Sequence, residues 1–340
     1  MYVRNAWYAI ALSDELEESM LARVVMDEPI VLFRTKLGKP VALEDRCCHR
    51  SYPLSRGRLM DDVIECGYHG FRFSSEGKCV GIPNQENIPA AARVKHYPLV
   101  EKHHFIWIWM GEAEQCDESK IPDLSVLDDP HCRWMGERLY AKANYRLITD
   151  NLSDLSHLTF VHGTTIGNSA TALADIKIEH TDNYVRQHRW MIDTPPPPTY
   201  VRLGGFTGNI DRWQIVTFTP PGFVALHTGG APTGTGAPQG DTSQGIHMCN
   251  VNMITPETAT TSHYFWAQTH DFRIDEPDVT LALFKDVQTA FRQDLEIFEL
   301  QQSRMQQMPG APEVSCRADG AQLLTRELVD RRLAIEHASL

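Results

Sequence analysis

The chain has no apolar run approaching the roughly 18 residues that cross a bilayer, so a membrane-spanning helix is not expected. It is poor in positive charge: 32 Lys and Arg stand against 44 Asp and Glu, a net charge of −12. Nucleic-acid and anionic-membrane surfaces need basic patches, so both are excluded as partners. The acidity serves solubility, or offers an acidic face to a basic redox partner. Cysteine is sparse, eight in 340 residues, which rules out a disulfide scaffold. The amino terminus "MYVRNAWYAIALSDEL" lacks a small-residue cleavage site and reads as a first strand rather than a secretory signal. A cytoplasmic location follows as the expectation. No internal repeat is visible.

What is present is ordinary globular material, 42% hydrophobic and 22% charged. The length suggests two domains of about 150 residues or more. Short strands fill the first third: "RVVMDEPIVLFRT", "KPVALEDRC", the hairpin "FRFSSEGKCVGI" with Glu76-Gly77 at its turn, and "HHFIWIWMG". The polar stretch "GEAEQCDESKIPDL" marks a boundary, giving domains 1–117 and 118–340. Beyond it a helical stretch at "ITDNLSDLSHLTFVH" precedes several strands and the loop "GGAPTGTGAPQG". One long helix fits from Glu276 to about Met308, with Phe284, Val287, Phe291, Leu295 and Phe298 at helical spacing. A last helix runs from about Ala321 to His337. The class is α+β.

The chemistry begins at "DRCCHRSYPL" and "ECGYHGFRF". Cys47 and His49 sit two apart, Cys66 and His69 three apart, with sixteen residues between the pairs. Zinc-finger sites group cysteines with cysteines and histidines with histidines. Here each loop supplies one of each. That division suits a Rieske [2Fe–2S] cluster, in which one iron takes both thiolates and the other both imidazoles. Structural zinc is the competing reading. Cys48 lies between two proposed ligands on an extended loop, so its side chain points away and is expected to pack.

These loops, with "RNAWYAIAL" and "LEDRCCHRSYPLSRG", resemble the Rieske non-heme iron oxygenases. The resemblance runs over nearly the whole chain. It is strongest to the group holding vanillate O-demethylase, toluenesulfonate methyl-monooxygenase and dicamba monooxygenase. Phe71 stands where many members have Trp, and an aromatic ring is kept. The resemblance implies an all-β Rieske domain followed by a helix-grip catalytic domain, an antiparallel sheet with a long C-terminal helix.

A second metal site is expected in the catalytic part. In "DNLSDLSHLTFVHGTT", Asn151, Asp154 and His157 recur at three-residue steps along one helix face. His162 is five past His157, about 140° around a straight helix, so the helix must end or bulge near Phe160, with Gly163 a plausible stop. Asp294 falls on the apolar stripe of the long helix, where a bare carboxylate is costly and a metal ligand is compensated. Glu296 falls off that stripe. Two histidines and one carboxylate form the facial set of oxygen-activating ferrous iron, and the resemblance assigns those roles to His157, His162 and Asp294. It also implies that Asp154 links a cluster histidine of one subunit to an iron-bound histidine of the next, in a homotrimer. Asn151 is implied to lie near the iron.

The resemblance further implies a separate ferredoxin or flavin reductase fed by NAD(P)H, and insertion of one atom of O2 into a methyl or methoxy group of a small aromatic acid. His227 in "GFVALHTGG" and Asn252 in "CNVNMITPE" are the expected substrate-binding positions, with ordinary interior polar residues as the alternative. The loop "GGAPTGTGAPQG" leans toward the sulfonate-oxidising branch. Ring hydroxylation or oxidation of a non-aromatic amine is the second reading. An electron carrier without mononuclear iron is the third.

Overall fold

The computed structural model describes residues 1–17 and 19–338. The chain divides into two units, Met1–Pro122 with Thr255–Ala259, and Asp123–Ile254 with Thr260–Leu340.

The first unit is built from three small antiparallel sheets. Its strands are β1 (Trp7–Leu12), β2 (Leu21–Val25), β3 (Glu28–Arg34), β4 (Pro40–Glu44), β5 (Arg58–Met60), β6 (Val63–Glu65), β7 (Arg72–Ser74), β8 (Cys79–Gly81), β9 (His96–Tyr97), β10 (Leu99–Lys102) and β11 (Phe105–Trp109). The sheets run β1-β11-β10, β2-β3-β4-β9 and β5-β6-β7-β8. The sequence "RVVMDEPIVLFRT" is two strands, not one. Met26 and Asp27 turn the chain with φ of 52° and 65°, pairing Val25 with Glu28. The β5–β8 sheet carries the second Cys/His loop between β6 and β7. Beneath both loops lies an apolar cluster of Val31, Phe33, Leu43, Leu54, Ile64 and Phe73, all fully buried.

The second unit is one seven-stranded antiparallel sheet with helices against it. Its elements in chain order are β12 (Arg133–Ala141), α1 (Tyr145–Ser153), α2 (Leu158–Val161), α3 (Ser169–Leu173), β13 (Ile176–His180), β14 (Val185–Thr194), α4 (Pro198–Gly204), β15 (Ile210–Thr219), β16 (Phe223–Pro232), β17 (Ile246–Thr258), β18 (Thr261–His270), α5 (Pro277–Gln307) and α6 (Gly320–Ala338). The strand order is β12-β18-β17-β16-β15-β14-β13. Antiparallel sheets can bury one face, and the face carrying Trp266 packs on α5. Trp266 stacks on Phe284 at 5.2 Å and meets Phe291 edge-on at 4.9 Å.

The helix-grip expectation is met by this sheet and by α5, 31 residues without a break. The buried stripe of α5 is Leu283, Val287, Ala290, Phe291, Asp294 and Phe298, rotated slightly from the sequence-derived one. Leu295 falls at its edge and Asp294 at its centre. Among the described residues no helix is long and apolar enough to cross a membrane.

Candidate metal centres and cavity

Two loops in the first unit have matching backbones. Cys47 N–H donates to Tyr52 O at 2.9 Å, and Ser51 N–H returns to Cys47 O at 2.9 Å. In the second loop Cys66 N–H donates to Phe71 O at 2.7 Å, and Gly70 N–H returns to Cys66 O at 3.0 Å. Ser51 and Gly70, each four residues past its cysteine, take positive φ of 55° and 71°. This conformation is open to glycine and strained for most other residues.

The loops bring both cysteines inside, 2% exposed each. The His49 and His69 rings meet edge-on at 4.7 Å, and His49 stacks on Phe71 at 4.6 Å with 8° between planes. The retained aromatic at position 71 thus fixes an imidazole. Burial pushes the Cys47 thiol up to about 11, a backbone hydrogen bond at His49 opposes this, and the Cys66 thiol adds to it. The Cys47 thiol thus resists ionising unless a cation sits beside it. His49 Nδ1 is buried with no hydrogen-bond partner. Orphaned ring nitrogen and paired thiols fit a cluster. Among the described residues, these four side chains do not gather their donor atoms around one point, as a single zinc would require. Cys48 turns away and packs against the apolar cluster beneath the loops.

In the second unit the helix carrying Asn151 stops at Ser153. Asp154 adopts an extended conformation (φ −133°, ψ 100°), and its carboxylate accepts from Ser156 N–H at 2.9 Å and Ser156 Oγ–H at 2.8 Å. That cap starts a short 3₁₀ turn, Leu155–His157, before α2. α2 ends at Val161 with His162 as its C-cap, followed by Gly163. The end expected near Phe160 falls at Val161; an earlier break at Asp154 was not expected, and because of it Asn151, Asp154 and His157 do not share one helix face. Gly167 closes the loop, donating to His162 O at 3.0 Å; a Cβ there would lie 2.0 Å from Leu158 O.

The result is a three-residue set. Donor atoms of His157, His162 and Asp294 lie within 4.8 Å of one another. His162 Nε2 is 3.1 Å from Asp294 Oδ2, and His157 Nε2 is 3.7 Å from Oδ1. His157 Nδ1–H donates to the Asp154 carbonyl at 2.6 Å, and His162 Nδ1 lies 2.8 Å from Gln293 Oε1. With Nδ1 engaged, each ring turns Nε2 inward, the arrangement that outer partners impose on metal-binding imidazoles. Asn151 Nδ2 donates to Asp294 Oδ1 at 3.3 Å. Burial lowers the His157 imidazole despite Asp294. At His162 burial acts the same way, but Asp294 and Gln293 outweigh it and raise the group. The donor set, with His162 and Asp294 buried and His157 partly so, fits a mononuclear ferrous ion.

The set lines a partly open cavity with about 60 Å³ of internal free space. Leu155, Leu158, Leu226, Met248, Leu283, Val287 and Phe291 supply apolar wall, and Arg212, Gln214, Thr228, Asn250 and Gln268 supply polar atoms. Strand parity explains which residues face it. Register pairs Gln214 with Thr228, Thr228 with Met248, and Leu226 with Asn250, so one face of β15–β17 lines the cavity.

His227 lies on the opposite face of β16, paired with Ile215 and Cys249, and is exposed. The structure does not bring it to the cavity. Asn252 shares the inward face but sits farther along β17, fully buried. It donates to Val224 O at 3.1 Å and accepts from Tyr264 O–H at 2.7 Å, which makes it a satisfied interior amide. Asp154 holds His157 through its main-chain oxygen, while its carboxylate caps Ser156. Sequence patterning alone does not single out Arg212, Gln214, Asn250, Gln268 or Gln293. An arginine at an inward position of "DRWQIVTF" is the available signal.

Both parts of the chain match domains of known proteins. Residues 6–98 match the Rieske [2Fe–2S] domain, and residues 141–334 match the vanillate O-demethylase oxygenase C-terminal domain. The iron–sulfur subunit of the toluene-4-sulfonate monooxygenase system of Comamonas testosteroni is 38% identical over 99% of both chains. The vanillate O-demethylase oxygenase subunit of a Pseudomonas species is 33% identical over 99% of this chain and 96% of that one. The crystal structure of dicamba monooxygenase bound to dicamba superposes with a TM-score of 0.91, at 30% identity over 99% of both chains. With its cluster loops, its buried two-histidine, one-carboxylate set and these full-length likenesses, the chain belongs to the Rieske non-heme iron oxygenases, in the group of the vanillate O-demethylase and toluene-4-sulfonate monooxygenase oxygenase components.

Proposed function

We propose that this chain is the oxygenase component of a multicomponent system that hydroxylates a methyl or methoxy group of a small aromatic acid. Electrons come from NAD(P)H through a separate reductase. The observation that carries the reading is a largely apolar cavity whose lining includes His157, His162 and Asp294 and a few polar side chains of one sheet face. A site of that kind buries an aromatic ring and orients it by its polar substituents. The toluene-4-sulfonate, vanillate and dicamba relatives, named for such acids, support it.

The overall reaction balances as R–CH3 + O2 + two electrons + two protons giving R–CH2OH + H2O. With a methoxy group the product is a hemiacetal, which releases formaldehyde and leaves a phenol. Cys47, His49, Cys66 and His69 would hold the [2Fe–2S] cluster, and His157, His162 and Asp294 the ferrous ion. When bound, the two centres supply single electrons and O2 activation.

The protein's own contribution is positioning. Asp154 O and Gln293 fix the two imidazole rings, and Asn151 fixes one carboxylate oxygen of Asp294. The apolar wall keeps bulk water from the reacting group. We also propose a cytoplasmic homotrimer. In it the Asp154 carboxylate, whose oxygens each retain a lone pair beyond the Ser156 contacts, links a cluster histidine of one copy to His157 of the next.

The test is a screen of O2 uptake and formaldehyde formation over methoxy- and methyl-aryl acids, with reductase and NADH. Formaldehyde or a benzylic alcohol, matched to O2 consumed, is expected. A ring-hydroxylated product instead would replace the reading with ring oxygenation.

A further inference from the structure

Arg212 is 1% exposed and stands in the wall of the cavity. Its Nη2 donates to Ile166 O at 3.0 Å, and its guanidinium lies 4.9 Å over the Tyr200 ring. These contacts aim it and leave most of its donors unused. Nε and Nη1 are buried without a hydrogen-bond partner. Among the described residues no carboxylate comes within ion-pairing distance of it. Asp211, its neighbour in sequence, uses its oxygens on the N–H groups of Asp193 and Gly234. Arg189 on the adjacent strand lies close enough to repel it, and that residue has Asp154 at 3.9 Å.

A guanidinium cannot shed its charge by deprotonating. Burying it unpaired is among the most costly arrangements a fold can hold. The register places Gly230 opposite Arg212, so no side chain from β16 covers the group on that side. Arg212 is the sole lysine or arginine in the described cavity wall. The other partnerless polar atoms there, Gln214 Oε1 and Asn250 Oδ1, are acceptors and suit a hydroxyl, not an anion.

We infer that Arg212 receives the anionic head group of the substrate, a carboxylate or sulfonate, and thereby sets which end of the ring meets His157, His162 and Asp294. This rests on the aromatic-acid reading above, and it names the residue that selects the acid.

The experiment titrates the holoenzyme by calorimetry with 4-toluenesulfonate and 4-methoxybenzoate, and with their neutral counterparts 4-toluenesulfonamide and 4-methoxybenzamide. The unaltered protein is expected to bind the anions roughly 10–100-fold more tightly than the amides. Arg212→Met should lower anion affinity by about that factor and amide affinity by less than about threefold, with the cluster absorption spectrum unchanged. Arg212→Lys should keep part of the preference, because charge survives while the planar fork is lost. Whichever anion loses more identifies the head group the site is shaped for. Equal affinity of acid and amide in the unaltered protein overturns the inference without any variant. So does an Arg212→Met protein that still prefers the anions. An Arg212-dependent preference in an enzyme that forms neither formaldehyde nor benzylic alcohol would instead sink the proposed reaction and leave this inference standing.

Discussion

His162 Nε2 lies 3.1 Å from Asp294 Oδ2, although 132 positions separate the two residues in the chain. His157 Nε2 faces the other oxygen of the same carboxylate at 3.7 Å. One carboxylate from the long helix thus closes a set whose imidazoles come from a broken one.

Replacing that carboxylate tests the set directly. Asp294→Ala should keep the brown cluster and lose the mononuclear ion, lowering iron from about three to about two per chain. O2 uptake with any substrate should fall to background. A variant that turns over normally would mean that another residue completes the site.

The partners of the two imidazoles differ in kind, and so should their variants. Gln293→Leu removes the side chain facing His162 Nδ1, and iron affinity should fall roughly 10–100-fold. Asp154→Asn leaves intact the main-chain oxygen that holds His157, so iron retention against a chelator should match the unaltered protein. Turnover of Asp154→Asn should nevertheless drop, because the carboxylate is the proposed link between copies. Equal iron loss in both variants would contradict the contacts described.

Gly70→Ala challenges the second cluster loop. The residue holds φ of 71°, and an added Cβ would lie 2.9 Å from Pro83 Cγ. The strain is worth about 1–3 kcal/mol. Acid-labile sulfide per chain should fall, with little change in the folding of the second unit by circular dichroism.

Glu28 governs part of the acid limit of the first unit. Burial alone would raise its carboxyl, but hydrogen bonds from Tyr97, Lys95 and Arg4 outweigh this and hold it below its ordinary value of 4.5. A depressed folded-state value contributes stability that is present above the ordinary value. That stability is lost as pH falls from there through the depressed value. Glu28→Gln should therefore lower the thermal midpoint for cluster bleaching at pH 7 and reduce its fall toward pH 3. Parallel curves for the two proteins would remove Glu28 from the account.

Much of this was legible in the chain. The Cys/His spacings marked both loops proposed to hold the cluster, and the helical period of α5 put Asp294 among apolar residues, where the structure buries it. The five-residue gap between His157 and His162 demanded a helix end near Phe160, and α2 stops at Val161. The earlier break was not visible, because Asp154 reads as a helix-face residue until its cap on Ser156 is seen. The cavity wall was poorly legible for a geometric reason. Alternation along β16 groups residues by face but does not say which face is inward. His227 and Leu226 were thus interchangeable until β15 and β17 were in register. Asn252 had the right face, yet distance along β17 handed its amide to Tyr264 instead of the cavity. Gln293 lay next to a predicted ligand and carried no periodic signal of its own.

The two walls of the proposed iron pocket have different mechanical characters. Asp294 rides near the middle of an uninterrupted helix about 45 Å long, a beam that a local disturbance bends little. His157 and His162 ride on a 3₁₀ turn and a four-residue helix, pieces too short to hold their shape alone. An ion bridging them would act as a rivet between girder and hinge. Its departure would slacken the histidine side first and leave the carboxylate in place, ready to guide the ion back.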